Sequence, residues 1–281
     1  MFGISRQAWH KRQKRKLQVE HQKETVIQLI RGQRKKMPRM GGKKVYHKIK
    51  AQLQQLPVKM GRDKLFSFMS ENKLLVKRKK NFTKTTHSMH RFRKYPNLIK
   101  GLEIKHSEQA WVSDITYIKI ENEFWYLCLI TDAYSKQIMG QYLSDNLKTE
   151  GPLNALKMAL SRRKYPHRKL IHHSDRGFQY CSDDYTRLLN DHSIGISMTQ
   201  SYDPYENAVA ERVNGILKDE FELGDGLVNQ KHAEREIKHS IAIYNTERPH
   251  LSCNYLTPAM AHTQSGVLKK HWKKRSFWKI R

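Results

Sequence analysis

Three β-rich runs stand almost end to end in the middle of the chain: AWVSDITYIKI (110–120), EFWYLCLITD (123–132) and KQIMGQYL (136–143). Aromatic and β-branched residues fill them, and only the short turns ENE and DAYS separate them, so they predict an antiparallel three-strand meander. The period then changes. EGPLNALKMALSRR reads as a helix, KLIHHSD as a buried strand, DDYTRLLNDH as a helix and IGISMT as a short strand; after the polar loop SYDPYEN comes a long helix, AVAERVNGILKDEF. Strands joined through helices run parallel, so the order βββαβαβα predicts an α/β fold with a mixed five-stranded sheet flanked by helices.

Charge divides the chain more sharply than period does. Of 281 residues, 54 are Lys or Arg and 26 Asp or Glu, a formal net charge of +28. A surface so self-repelling is tolerable mainly when a polyanion neutralises it, and nucleic acid is the first candidate. An anionic membrane is the rival, but no apolar stretch approaches ~20 residues and the basic Met1 end lacks the apolar segment of a signal peptide; the expectation is a soluble protein of the cytoplasm. Cys128, Cys181 and Cys253 lie far apart with no C-x-x-C spacing, so neither a disulfide framework nor a structural zinc site is expected. Cations are dense from Arg6 to Lys100, whereas Glu108 to Glu150 is nearly balanced. Four parts follow: a basic helical region at 1–76, a basic linker at 77–107, a catalytic core at 108–225, and a C-terminal helix with a basic tail at 226–281.

The first part suits two short helices and a turn, with Leu17, Val26, Ile27, Leu29 and Ile30 as apolar positions, followed by a third helix burying Leu65, Phe66, Phe68 and Met69. That pattern reads as helix-turn-helix-like and DNA-binding, or more plainly as a solvated helical arm. The linker has few aliphatic residues and scatters Phe82, Phe92 and Tyr95 among its cations, which fits an extended segment lying on phosphates with rings free to stack.

Three acidic residues stand out by position. Asp114 interrupts the first strand, Asp175 immediately follows the fourth in HHSDRGFQY, and Glu211 sits in the apolar start of the long helix, with 35 residues between it and Asp175. Singly, each has a plain reading as turn former, cap or solvated helix residue. Asp132 and Asp203 fall in turns, and Glu220 lies nine residues past Glu211, about half a helical turn out of phase, so none of these joins the set. His172 and His173 are adjacent in a strand and point to opposite faces, so at most one reaches a site there. Around the acids, Arg176, Asn207, Arg212 and Lys218 are candidates for holding DNA, with Asn207 equally suited to capping the helix and Arg176 to a salt bridge. Trp111 and Trp125 are expected in the core. The word formed by Tyr244, Asn245, Arg248, Pro249 and His250 yields no mechanism beyond helix termination before Pro249.

With that spacing, Asp114, Asp175 and Glu211 resemble the D,D(35)E signature of retroviral-integrase-type transposases. The words WVSDITYI, HHSDRGFQY, SYDPYENAVAERVNGILKDEF and YNTERPHLSCNYLTPAMA resemble, in order, those of the second open reading frame product (OrfB) of IS-three-group bacterial insertion sequences. The resemblance covers roughly residues 40–265 and includes GGKKVYHKI and GRDKLFSFMSENKLL in the helical region. It departs at Glu206, where the family carries Asp before Asn-Ala. It implies a ribonuclease-H-like core and a DNA transposase that cuts 3′ ends and transfers strands. Asp114, Asp175 and Glu211 would hold two Mg²⁺ ions, or Mn²⁺, with Asp114 bridging. Hard cations take oxygen ligands, and two of them stabilise both the attacking and leaving oxygens of an in-line displacement at a phosphodiester. The expected partners are double-stranded DNA, an upstream-frame OrfA protein or fusion with it, and further copies of the chain on DNA. The expected location is the bacterial nucleoid. The competing functions are a metal-dependent structure-specific nuclease and a non-catalytic nucleic-acid-binding protein.

Overall fold

The structure, a computed structural model, describes residues 5–57, 60–77, 93–200, 204–269 and 271. The chain divides into two compact units, Met1–Arg78 and Lys79–Arg281.

The first unit holds helices α1 (Arg6–Lys36), α2 (Gly42–Gln55) and α3 (Arg62–Glu71). Its small core uses one face of each: Val26 and Ile30 from α1, Val45, Ile49 and Leu53 at four-residue intervals from α2, and Leu65, Phe68 and Met69 from α3. The Arg34 guanidinium donates to the Leu74 carbonyl (2.6 Å), tying the exit of α3 back to α1. A single long α1 replaces the expected short first helix, and only its last turns are covered. Leu17 is 71% exposed, because Ala8, Trp9, Leu17 and Val19 share no helical face and cannot form an apolar stripe. Phe82 and Phe92 lie outside the described residues.

The second unit is built on strands β1 (Ala110–Ile120), β2 (Glu123–Asp132), β3 (Ile138–Ser144), β4 (Ile171–Ser174) and β5 (Gly195–Met198), in the order β3-β2-β1-β4-β5. β2 runs antiparallel to β1 and β3, while β4 pairs in parallel with β1 and β5. This is the mixed five-stranded sheet the element order called for, and it agrees with the ribonuclease-H-like core that the resemblance implied. Helices α4 (Glu150–Ser161), α5 (Phe178–Cys181) and α6 (Asp183–Asp191) cover one face, over a core of Trp111, Ile130, Leu156, Tyr185 and Met198. α4 lies so close to β3 that a Cβ at Gly140 would stand 2.0 Å from the Ala155 carbonyl oxygen, so only glycine fits there. α7 (Ala208–Glu220) covers the other face, where Ala210 meets Ala110 and Val112. Trp111 is fully buried as expected. Trp125 is half-exposed, because the β1–β2 hairpin runs on past its covering helices.

His172 and His173 do take opposite faces, and both are internal. His172 Nε2 lies 3.0 Å from Tyr185 OH and His173 Nδ1 lies 2.8 Å from Ser197 Oγ. Burial holds both rings neutral, with pKa values pushed down to about 3 and about 4.

Two further helices close the unit, α8 (Gln230–Thr246) and α9 (Pro258–His262). They give the unexplained word an architectural meaning. Tyr244 OH donates to the Lys136 carbonyl (2.9 Å), and Asn245 accepts from Ile138 N (2.9 Å) while donating to Ile138 O (3.0 Å). Arg248, buried, makes two 2.9 Å bonds to the Glu220 carboxylate. These side chains fasten α8 to the start of β3 and to the end of α7.

α9 is held by a second buried polar cluster. His262 Nε2 lies 3.3 Å from Glu108 Oε1, and His262 Nδ1 lies 2.9 Å from Ser135 Oγ. Ser135 Oγ in turn donates to Asp132 (2.8 Å). Glu108 also accepts from the amides of Lys164 (2.6 Å) and Tyr165 (3.0 Å) and faces the Arg163 guanidinium at 3.4 Å. Its own backbone is left-handed, φ 59°, a conformation that this ring of partners holds in place. Asp132, expected in the turn after the second strand, is instead the last residue of β2, and its carboxylate is committed to closing the turn that follows: it accepts from Glu108 N, Tyr134 N and Ser135 N.

Candidate active site

Strand register brings the first two acids together. β1 and β4 pair Val112 with His173, and two residues further along each strand stand Asp114 and Asp175. Parallel neighbours at one level share a face and lie about 4.8 Å apart in backbone, so the two carboxylates meet on the face that α7 covers. Asp175 ends its strand in a tight turn: Oδ1 accepts from Gly177 N (2.9 Å), and a Cβ on Gly177 would stand 3.1 Å from that oxygen and 2.9 Å from Gln179 Oε1.

Asp114 is held from two sides. Its Oδ1 accepts from Ile115 N (3.0 Å) and its Oδ2 from Asn214 Nδ2 (2.8 Å). Desolvation, then the neighbouring Asp175 charge and more weakly Glu211, push its carboxyl up to about 7 against these two bonds. Near neutral pH Asp114 is therefore partly protonated.

Helix α7 brings the remaining groups. Glu211 stands on its first turn, exposed, with its carboxyl raised by partial desolvation. Asn214 comes three residues later and is buried, and Lys218 four after that, one turn further on the same side. Desolvation lowers the Lys218 ammonium and the Asp114 charge draws it back up, which places the cation within electrostatic reach of the pair. Among the described residues, no three His, Cys, Asp or Glu side chains converge closely enough to hold a single ion. Asp114 and Asp175 adjoin; Glu211 stands off at the rim.

The other predicted residues divide. Asn207 is buried, makes no capping bond, and donates instead to the Ser113 carbonyl (3.0 Å), so its amide ties the start of α7 to β1. Arg212 is exposed, and its charge is felt at Tyr244, on the α8 side of the helix. Arg176 is half-buried in the turn after Asp175, and its charge is felt at the Cys181 sulfur. Glu220 points away into Arg248. Sequence reasoning missed Asn214. Its signal was present: it lies three residues after Glu211 and four before Lys218, the spacing of one helical face.

Two integrase core domain family models match the chain, over residues 105–204 and 192–258. The insertion element IS600 uncharacterized 31 kDa protein of Shigella sonnei is 33% identical over 214 residues, which cover 75% of this chain and 78% of that protein. Transposase InsF for insertion sequence IS3A of Escherichia coli (strain K12) is 35% identical over 151 residues, covering 53% of this chain and 52% of its own length. The chain thus spans about half of InsF. Among solved structures, the HTLV-2 integrase catalytic core domain in complex with magnesium (trimeric form) is similar at a TM-score of 0.45 and 17% identity, covering 56% of this chain and 97% of that one.

Proposed function

The chain belongs to the IS-three-group insertion-sequence transposases with an integrase core, and on that premise we propose that it cuts the 3′ ends of its element and joins them to target DNA, using Asp114, Asp175 and Glu211. The observation that carries this reading is the carboxylate pair, set side by side where desolvation and mutual repulsion raise Asp114 to about 7. Evenly solvated structural acids are not treated this way, and a divalent cation removes both penalties.

The donor set fits such an ion. Asp114 with Asp175 would offer hard oxygens to one Mg²⁺ or Mn²⁺, and Asp114 with Glu211 to a second, the remaining ligands being water and phosphate oxygens. When bound, the ions supply charge for the attacking and leaving oxygens of an in-line displacement. The chain's own residues do the rest. Asn214 fixes the rotamer of Asp114 by holding Oδ2. Lys218 lowers the cost of negative charge beside Asp114 and faces the path of a phosphate backbone. Asp114 would hold such an ion only in its ionised form, so affinity for the ion would rise with pH toward neutrality and above.

On the same reading, the cation-rich α1 to α3 unit binds duplex DNA and Arg176 touches the substrate near Asp175. Two element ends require at least a dimer on DNA, and an upstream-frame partner or fusion supplies end recognition at the nucleoid. The test is incubation of the protein with labelled element-end duplex and Mg²⁺ or Mn²⁺. Strand-joined product that disappears with Asp175→Asn supports the proposal. Cleavage without joining supports a nuclease, and binding without either supports a non-catalytic role.

A further inference from the structure

The stretch before β1 is not a free tether. Residues 95–98 run antiparallel along the outer edge of β5: Met198 N donates to Pro96 O (3.3 Å) and Leu98 N donates to Ser197 Oγ (2.8 Å). Asn97 Oδ1 then accepts from the amides of Ile99 (3.1 Å) and Lys100 (3.0 Å), turning the chain away. Tyr95 packs its ring against the core under α5 and α6, so it is not available to stack on a base. Arg93 lays its guanidinium 5.2 Å from the centre of the Tyr95 ring.

This pairing fixes where the preceding cations stand. Met198 is level with Ser174, one residue before Asp175, and Pro96 is bonded to Met198. Running backwards from Pro96, the chain passes the level of Asp175 and reaches Lys94 and Arg93 at the end of the sheet where the carboxylates lie. Both are exposed, and neither makes an ion pair with a described carboxylate. The charges of Lys94, Arg176 and Asp175 all reach the Cys181 sulfur, where the two cations oppose a thiol pKa that desolvation raises to about 11.

We infer that Arg93 and Lys94 grip the backbone of the DNA strand that occupies the Asp114–Asp175 site, a few phosphates from the one that reacts. The inference rests on the function proposed above. Two interstrand steps separate Asp175 from the 95–98 segment, about 10 Å at ~4.8 Å each, and phosphates recur every ~3.4 Å of axis along one strand, so the gripped phosphate is about three from the reacting one.

The test uses the full chain and a branched duplex of arbitrary sequence with a free 3′-hydroxyl at the branch, the product of strand transfer, whose reversal needs only the active site. Single methylphosphonates are placed along the strand on either side of the reacting phosphate, and binding is measured without metal alongside turnover with Mn²⁺. Wild type should lose affinity about fivefold when one phosphate two to four positions away is neutralised. In Arg93→Gln/Lys94→Gln that penalty should vanish, and the slope of log affinity against log salt should fall by about 2, near 0.9 for each phosphate the protein no longer neutralises. An unchanged slope and penalty in the double variant would overturn the inference. Lys94→Arg should retain both, and a melting curve like wild type excludes misfolding as the cause of loss. Turnover absent with the phosphate footprint intact refutes the transferase chemistry; a footprint absent with turnover intact refutes the grip by Arg93 and Lys94.

Discussion

Two clusters of buried acid sit in the same unit and are treated in opposite ways. At one end, Glu108 loses water, but the His262 ring and the amides of Lys164 and Tyr165 more than offset this and hold its carboxyl below the ordinary range. At the other, Asp114 loses water beside a second carboxylate, and its two hydrogen bonds do not win: it rises to about 7. Burial is common to both; the partners decide the sign. A cluster finished with its own donors is an architectural joint, whereas one left short of positive charge suits the cation-holding role proposed for it.

The sharpest way to break this contrast is Asp175→Asn. Strand joining should fall by at least about 1,000-fold, the size of effect expected when an essential electrostatic group is lost, and the same substitution should leave melting unchanged or raise it. A large loss of stability instead would place Asp175 with the architectural acids. Next, Glu108→Gln or His262→Ala should destabilise the second unit by about 3 kcal/mol, the order expected when one partner of a buried charged pair is removed. DNA affinity at a temperature below melting should be unaffected, and chemical denaturation checks the first figure.

The pH dependences should run in opposite directions. Glu108 has a lowered folded pKa, so its contribution is present above the ordinary glutamate value of 4.5 and is lost as pH falls through the lowered one. Asp114 has a raised folded pKa, so between 3.8 and about 7 the native state holds a proton that the unfolded chain does not, and metal-free stability falls as pH rises across that window. The change across that window amounts to about 4 kcal/mol in total, at about 1.4 kcal/mol for each pH unit. It should be absent in Asp114→Asn and be reversed by millimolar Mg²⁺, as melting curves at pH 4.5 and 7.5 with and without metal would show. The smallest effect is at Asn214: Asn214→Ala removes one bond to a charged oxygen, worth about 1.5 kcal/mol, and should slow joining about tenfold and move the acid limb of its pH profile upward. A pH profile that stays in place would reduce Asn214 to packing.

The contrast also explains what was readable in the sequence. The meander was legible because three runs dense in aromatic and β-branched residues, among them Trp111, Ile115, Trp125 and Ile130, are parted only by short turns. Asp114 stood out because it interrupts the first strand and Glu211 because it sits in an apolar helix start, whereas Asp175 joined them only through the 35-residue spacing and the words around it. The joint formed by Glu108, Asp132, Ser135 and His262 left no such trace: its members are scattered from before β1 to α9 and meet only after the sheet has formed. The 95–98 segment was misleading for a different reason. A proline and few aliphatics argue for a loose linker, yet an edge position tolerates proline because its missing N–H faces outward. Tyr95, expected to be free for stacking, is spent on the core. Leu17 failed in the reverse direction, an apolar residue with no stripe to belong to.

One consequence follows from the way α7 is mounted. Asn207 pins its first residue to the Ser113 carbonyl, next to Asp114, and Arg248 pins its last through Glu220. Mechanically the helix is a beam on two bearings with Glu211 and Asn214 on the span between them. The gap between Glu211 and the strand carboxylates is therefore a tolerance set at both supports, and wear at the distant Arg248 bearing would be felt as lost alignment at the cutting edge.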